Sequence, residues 1–248
     1  MALAEVHTEE FYLSAGECGP EQTLPVALLV SRLIEVATNH ANELGVGYEN
    51  LIAHGQTWVL SRVAVEMDRY PRVDERYSVV TWVEKLNRHF STRNFMIAMA
   101  DGSVAGYART VWVGINVADR TLADISRLVP LADVALPQKE CPIAEVSRHR
   151  PVAVPDRCAD YCFRYSDIDS NRHVNTVRYV ELLLNQWPLE FHDSHCMKRL
   201  EMSFMRESYF GEKAQVRLAE TESAASADIS VDGSMRCHFE IKYDVAST

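Results

Sequence analysis

The chain has 248 residues, 47% hydrophobic and 24% charged, with a formal charge of −10 at neutral pH. That balance excludes wholesale disorder, and no apolar run approaches the ~18 residues of a membrane-spanning helix. The acidic excess argues against general affinity for nucleic acid or an anionic bilayer, while leaving room for a local basic patch that meets an acidic partner. The first ten residues are too acidic, and too short in apolar run, for a secretory signal. Cys18, Cys141, Cys158, Cys162, Cys196 and Cys237 form no C-x-x-C pair. Reduced thiols in a cytoplasmic protein are therefore expected.

In chain order, a short strand over residues 11–13 precedes a helix that Thr23 caps and whose first turn suits Pro25. Val26, Leu29, Val30, Leu33, Ala37, Ala41 and Leu44 recur at helical spacing until Gly45. Strand patterns follow at Trp58–Met67, Tyr77–Val83, Phe95–Ala100 and Val104–Val117, the last two joined by the turn pair Asp101-Gly102. Between Leu128 and Asp156 lie Pro130, Pro137, Pro142, Pro151 and Pro155, which predict an extended connector rather than a helix or central strand. The order then repeats. A strand near Tyr161–Tyr165 leads to a helix carrying Val177, Val180, Leu183, Leu184 and Trp187. Strands follow near Leu200–Phe204, Ala214–Ala219, Ala227–Val231 and Met235–Tyr243, with Asp232-Gly233 between the last two.

Each half thus reads strand, long helix, four strands. A sheet curled around one helix buries that helix along its apolar side. The expected fold is α+β, a tandem (double) hotdog with two long central helices, each wrapped by an antiparallel sheet; an α+β pair without true repetition is the alternative. The expected domains are residues 1–130, a proline-rich linker at 131–157, and residues 158–248.

The run from Tyr165 to Asn175 is dense in ionisable groups and stands between a strand and an amphipathic helix. Asp169, Asn171 and His173 share a side in irregular or extended backbone but not in a regular helix. This favours the turn and first helical residues, where free N–H groups and the positive dipole end can stabilise an oxyanion. Simple capping by Asp and Asn would use the same residues without chemistry.

Asp169-Ser170-Asn171-Arg172-His173-Val174-Asn175 resembles the D-x-N-x-H-V-N motif of the acyl-acyl-carrier-protein (acyl-ACP) thioesterases of plastids and bacteria. Leu200-Glu201-Met202-Ser203-Phe204-Met205-Arg206-Glu207 is similar to that family's L-E-x-x-aromatic-x-R-E segment. Trp58-Val59, Glu66-Met67-Asp68-Arg69-Tyr70-Pro71, Thr81-Trp82-Val83 and Val111-Trp112-Val113 extend the likeness in order through the first half. The resemblance implies a tandem hotdog and hydrolysis of fatty acyl-ACP to free fatty acid and holo-ACP, which ends chain elongation. It carries the catalytic roles onto Asp169, Asn171, His173 and Glu207, with no metal or organic cofactor. Glu207 would act as general base, or as nucleophile; His173 would orient water, Asn171 would position water or carbonyl, and Asp169 would hold its neighbours in register. Ser208 stands where many plastid members have a cysteine, which disfavours a Cys nucleophile there.

Thr23-Leu24-Pro25 occupies the corresponding place in the first half, so one active site per chain is expected. The first half would then form the acyl tunnel, with Leu29, Leu33 and Trp58 as lining candidates and ordinary core packing as the alternative. Arg88, Arg93, Arg148, Arg150, Lys198 and Arg199 are candidates for docking an acidic carrier protein. His192, His195 and Cys196 offer zinc-type ligands in what otherwise reads as a polar loop. No G-x-S-x-G elbow is present, which argues against a serine α/β-hydrolase. The competing readings are a hotdog acyl-CoA thioesterase, a hotdog hydratase and a noncatalytic acyl-binding lipid sensor. An internal pseudo-dimer suits a monomer, and homodimer formation through sheet edges stays open.

Overall fold

A computed structural model describes residues 4–147 and 150–245; Arg148 and His149 lie outside the described residues. The chain divides into two compact units, one up to Leu24 with Arg32–Glu145, the other Pro25–Ser31 with Val146 onward.

The first part of the chain runs β1 (Val6–Tyr12), α1 (Val26–Glu43), α2 (Tyr48–Ala53), β2 (Gln56–Met67), β3 (Arg76–Leu86), β4 (Phe90–Met99), β5 (Val104–Asn116) and α3 (Val129–Asp133). Its strands are antiparallel in the order β1-β3-β4-β5-β2. The second part runs β6 (Arg157–Cys162), α4 (Thr176–Leu184), α5 (Leu189–Ser194), β7 (His195–Phe204), β8 (Lys213–Glu220), β9 (Ala224–Val231) and β10 (Ser234–Val245). These strands take the order β6-β8-β9-β10-β7, the same permutation, again antiparallel. Each half is therefore one strand, a helix and four further strands that complete a five-stranded sheet of one topology, the double hotdog expected from the sequence.

Alternation makes the strands. Ala225, Ala227, Ile229 and Val231 of β9 are buried at every second position, as a pleated sheet with one face on the core requires. Helical spacing makes α1, whose Leu29, Val30, Leu33, Val36, Ala37 and Leu44 are all buried. Gly45, at φ +70°, ends it in a left-handed conformation that spares it a Cβ clash, and Val46 N–H returns to Ala41 O at 2.9 Å. Leu44 and Val46 then pack with Val83 of β3 and with Leu131 and Val134, and Trp58 covers them. The Trp58 indole donates to Val46 O at 2.9 Å, so this residue and the fully buried Leu29 and Leu33 have core contacts.

Four local expectations are corrected. Thr23 does not cap α1: it forms an isolated bridge with Arg72, and the helix opens at Val26, with Pro25 O accepting from Leu29 N–H. The second helix is not long, for α4 has nine residues. Pro188 disfavours helical backbone at Trp187, so that ring lies beyond the helix end, donating to Glu220 Oε2 at 2.8 Å and stacking on Phe191. The proline-rich stretch is not wholly extended, because Pro130 sits in the first turn of α3, where no N–H is needed. Residues 192–196 form the end of α5 and the start of β7 rather than a loop. There His192 Nε2 donates to Leu184 O, and the His195 ring stacks on Phe191 at 4.1 Å. Among the described residues no group of three His, Cys, Asp or Glu is placed to hold a metal, and no helix is long and apolar enough to cross a membrane.

Candidate active site

Residues 169–173 form a tight hairpin loop ahead of α4, closed by an isolated bridge between Ile168 and Val174. Arg172 N–H donates to Asp169 O (3.0 Å) and Asp169 N–H to His173 O (2.8 Å), with Arg172 at φ +65°. This is a three-residue hairpin loop whose last position must be left-handed. The Asp169 carboxylate fixes it from inside: its Oδ1 accepts the backbone N–H of Asn171 (2.8 Å) and of His173 (3.1 Å). Asp167, buried beneath, takes the Arg164 N–H (2.7 Å) and the Tyr161 hydroxyl (3.0 Å) on Oδ2.

The motif therefore precedes the helix instead of occupying its first turn. Asn175 is the N-cap, its Oδ1 accepting from Val177 N–H at 2.9 Å. Most amides expected to be free for an oxyanion are already bonded: Asn171, Arg172, His173, Val174, Asn175, Val177 and Arg178 all donate within the chain. Among the described residues only the N–H groups of Ser170 and Thr176 in this stretch lack such an acceptor. Asn171 is exposed, and its side-chain amide has no partner among the described residues.

One long-range bond brings the fourth residue in. Val174 N–H donates to Ser208 O at 2.9 Å, which sets the segment after β7 against the loop. Glu207 Oε1 then lies 3.4 Å from His173 Nδ1, each side chain 25% exposed. Asp169 reaches this pair through the His173 backbone, and among the described residues no hydrogen bond joins the Asn171 side chain to it. Ser208 points away: it is fully buried, and its Oγ has no hydrogen-bond partner of good geometry among the described residues. Tyr209, which sequence reasoning missed, donates its hydroxyl to Glu207 Oε2 at 3.2 Å and sets its ring edge-on to His173, 5.3 Å between centroids. No local sequence signal marks it.

The same backbone occurs in the first unit without the same chemistry. Gln22 N–H donates to Gly19 O (2.9 Å), Gly19 N–H to Thr23 O (3.0 Å), and Gln22 is at φ +58°. Leu24 N–H donates to Pro71 O (2.8 Å), as Val174 does to Ser208 O. By these bonds Gly19, Glu21, Thr23 and Tyr70 stand where the second unit has Asp169, Asn171, His173 and Glu207.

A second acid–base cluster lies between β9 and β10. The imidazole of His238, 3% exposed, meets Asp228 Oδ1 at 2.7 Å through Nδ1 and Glu240 Oε1 at 3.0 Å through Nε2. Asp228 Oδ2 accepts the Val152 N–H at 2.7 Å, and Ser226 Oγ donates to Glu240 at 2.6 Å. Burial opposes charge on this ring, but its hydrogen bonds to the Asp228 and Glu240 carboxylates outweigh it and raise its pKa to about 9. With both nitrogens donating, the ring has no lone pair to act as a base. The cluster is closed, whereas the Glu207–His173 pair is reachable.

Two docking candidates are withdrawn by burial. Arg93 is 4% exposed and bonds His40 Nδ1 at 2.8 Å and Thr81 Oγ1 at 3.3 Å. Burial lowers its pKa to about 10, and burial together with the Arg93 charge lowers His40 to about 4, so that the imidazole is a neutral acceptor. Arg199 is buried against Glu201 at 2.8 Å. Arg88 is exposed and pairs with Asp124 at 3.2 Å, Arg150 is exposed, and Lys198 is half-buried.

Comparison with known proteins gives a consistent picture. Models of the acyl-ACP thioesterase N-terminal and C-terminal domains match residues 4–129 and 155–245. A chloroplastic palmitoyl-acyl carrier protein thioesterase of Gossypium hirsutum is 27% identical over 252 aligned positions, covering 96% of this chain and 60% of that protein. The chloroplastic oleoyl-acyl carrier protein thioesterase 2 of Arabidopsis thaliana is 26% identical, covering 81% and 59%. The chain thus spans less than two thirds of these curated relatives' length. The crystal structure of an acyl-ACP thioesterase from Bacteroides thetaiotaomicron is 33% identical, covers 97% of this chain and 98% of that one, and superposes with a TM-score of 0.89. The 12:0-ACP thioesterase from Umbellularia californica, at 19% identity with 98% of each chain covered and a TM-score of 0.86, shares the fold.

Proposed function

The chain belongs to the acyl-ACP thioesterase family, and on that footing we propose that it hydrolyses a fatty acyl-ACP thioester, releasing free fatty acid and holo-ACP. The observation that carries the reading is the approach of Glu207 to His173 at 3.4 Å on a partly open surface, with the Asp169-bonded loop beneath. Glu207 takes a proton from water as the water adds to the thioester carbonyl. His173 orients that water and passes a proton toward the departing thiolate, a good leaving group that asks for little acid assistance. The N–H groups of Ser170 and Thr176, unengaged among the described residues, and the exposed amide of Asn171 are donors for the oxyanion. Asp169 keeps the loop in shape through two backbone N–H groups.

The Gly19–Thr23 loop has no acid–base set, which supports one site per chain and leaves the first unit to accommodate the acyl chain. Six free cysteines are in keeping with a reducing, cytoplasmic setting. The test is thiol release from matched acyl-ACP and acyl-CoA by the protein and by Glu207→Ala. Release from acyl-ACP that falls ~10²–10⁴-fold in the variant is expected. Preference for acyl-CoA would replace the proposed substrate, and acyl binding without release would replace the enzyme by a binder.

A further inference from the structure

We propose that Tyr209 is a positioning residue for the Glu207–His173 pair, its hydroxyl holding the carboxylate and its ring holding the imidazole. The proposal rests on the hydrolytic reading above and adds a residue to it. A carboxylate on a three-torsion side chain, a quarter exposed, is free to rotate unless both oxygens are engaged. Here Oε2 accepts from Tyr209 Oη at 3.2 Å, which leaves Oε1 facing His173 Nδ1 at 3.4 Å. The ring meets the imidazole edge-on, with planes at 88°, an arrangement that fixes the tilt of His173. At 46% exposure Tyr209 is no core residue, so packing alone does not account for its place.

Its backbone is clamped independently. Tyr209 N–H donates to Glu212 Oε2 (3.0 Å), Glu212 N–H to Tyr209 O (3.2 Å), and Arg236 Nη2 to Glu212 Oε1 (3.3 Å). Gly211, at φ +80°, permits this turn and donates to Phe163 O at 2.9 Å. The first unit separates clamp from phenol. There Arg72 N–H donates to Glu75 Oε2 (2.8 Å) and Glu75 N–H to Arg72 O (3.0 Å), so Arg72 is the counterpart of Tyr209. Tyr70 and Thr23 stand in the places of Glu207 and His173, and the counterpart is not a tyrosine. The clamp belongs to the scaffold in both units; the phenol contact accompanies the acid–base pair. Glu207 faces His173 and Tyr209, with Asp169 behind the first and Glu212 and Arg236 behind the second.

Tyr209→Phe keeps the ring and removes the hydroxyl; Tyr209→Ala removes both. The hydroxyl holds Oε2 and so keeps Oε1 aimed beside His173 for the proton transfer. For Tyr209→Phe the expected result is a roughly tenfold or greater fall in kcat, with KM changed less than about twofold. The melting temperature should be unaltered. Tyr209→Ala should lose several-fold more. A wild-type kcat in Tyr209→Phe would overturn the proposal. If wild type and Glu207→Ala release thiol equally, the hydrolytic reading fails by itself. The His173 ring resonances, followed by NMR, then decide the contact: resonances moved by Tyr209→Ala, which removes the edge-on ring, uphold it, and unmoved ones overturn it.

Discussion

Replacing His238 with glutamine removes a positive charge from between two carboxylates, and the pH dependence of the resulting loss can be worked out in advance. Asp228 and Glu240 hold the imidazole at 2.7 and 3.0 Å, and its folded pKa of about 9 lies above the ordinary histidine value of 6.5. That difference corresponds to roughly 3 kcal/mol of stability from protonation in the folded state. Because the folded value is raised, the contribution is complete below pH 6.5 and is lost as the pH rises through 9. The stability gap between wild type and His238→Gln should therefore be about 3 kcal/mol wider at pH 6 than at pH 10, or roughly 6–12 °C in melting temperature. Denaturation of both proteins across that range measures it. A gap that stays constant with pH would show that the ring is not charged in the fold. Thiol release by His238→Gln at a temperature where it is folded should match wild type, since the doubly donating ring has no lone pair to act as a base.

His173→Ala should lose ~10²–10⁴ in turnover while its melting temperature stays near wild type, because the loop is held by backbone bonds; thiol-release kinetics paired with a thermal melt checks both. Ser208→Ala should release thiol within about twofold of wild type and melt no lower, since it removes a buried hydroxyl without a well-made bond. A trapped acyl-serine at this position would reverse the assignment of Glu207. Asp169→Ala frees two backbone N–H groups and should lower both stability, by about 1–3 kcal/mol, and kcat. Asp169→Asn retains an acceptor oxygen and should recover most of the stability, as chemical denaturation would record. Gly106→Ala should be destabilising, because its Cβ would meet Glu66 O at 2.4 Å, and a depressed melting temperature would register it.

The doubled order of elements was legible because alternation in β9 and helical spacing in α1 run long enough to show a period. The six-residue helices α2 and α5 were not, since so few residues display little of a helical face. Spacing alone puts Trp187 on the second helix; Pro188, one residue on, overrides that pattern. At the site, the side-chain types from Asp169 to His173 were visible in sequence, but their backbone shape was not. It depends on a left-handed Arg172 and on Asp169 accepting from its own loop. The meeting of His173 with Glu207 depends on the Val174–Ser208 bond across 34 positions, which no local pattern encodes. Resemblance supplied residue 207; nothing supplied Tyr209. Arg93 read as a surface cation because arginines usually are, whereas here a neutral histidine and a threonine solvate it inside.

The Gly19–Thr23 hairpin gives this protein a built-in control. Mutations there report the mechanics of the shared loop while every reacting group stays untouched. Rebuilding the reagents at Gly19, Glu21, Thr23 and Tyr70 would ask whether geometry and chemistry can be transplanted separately within a single molecule.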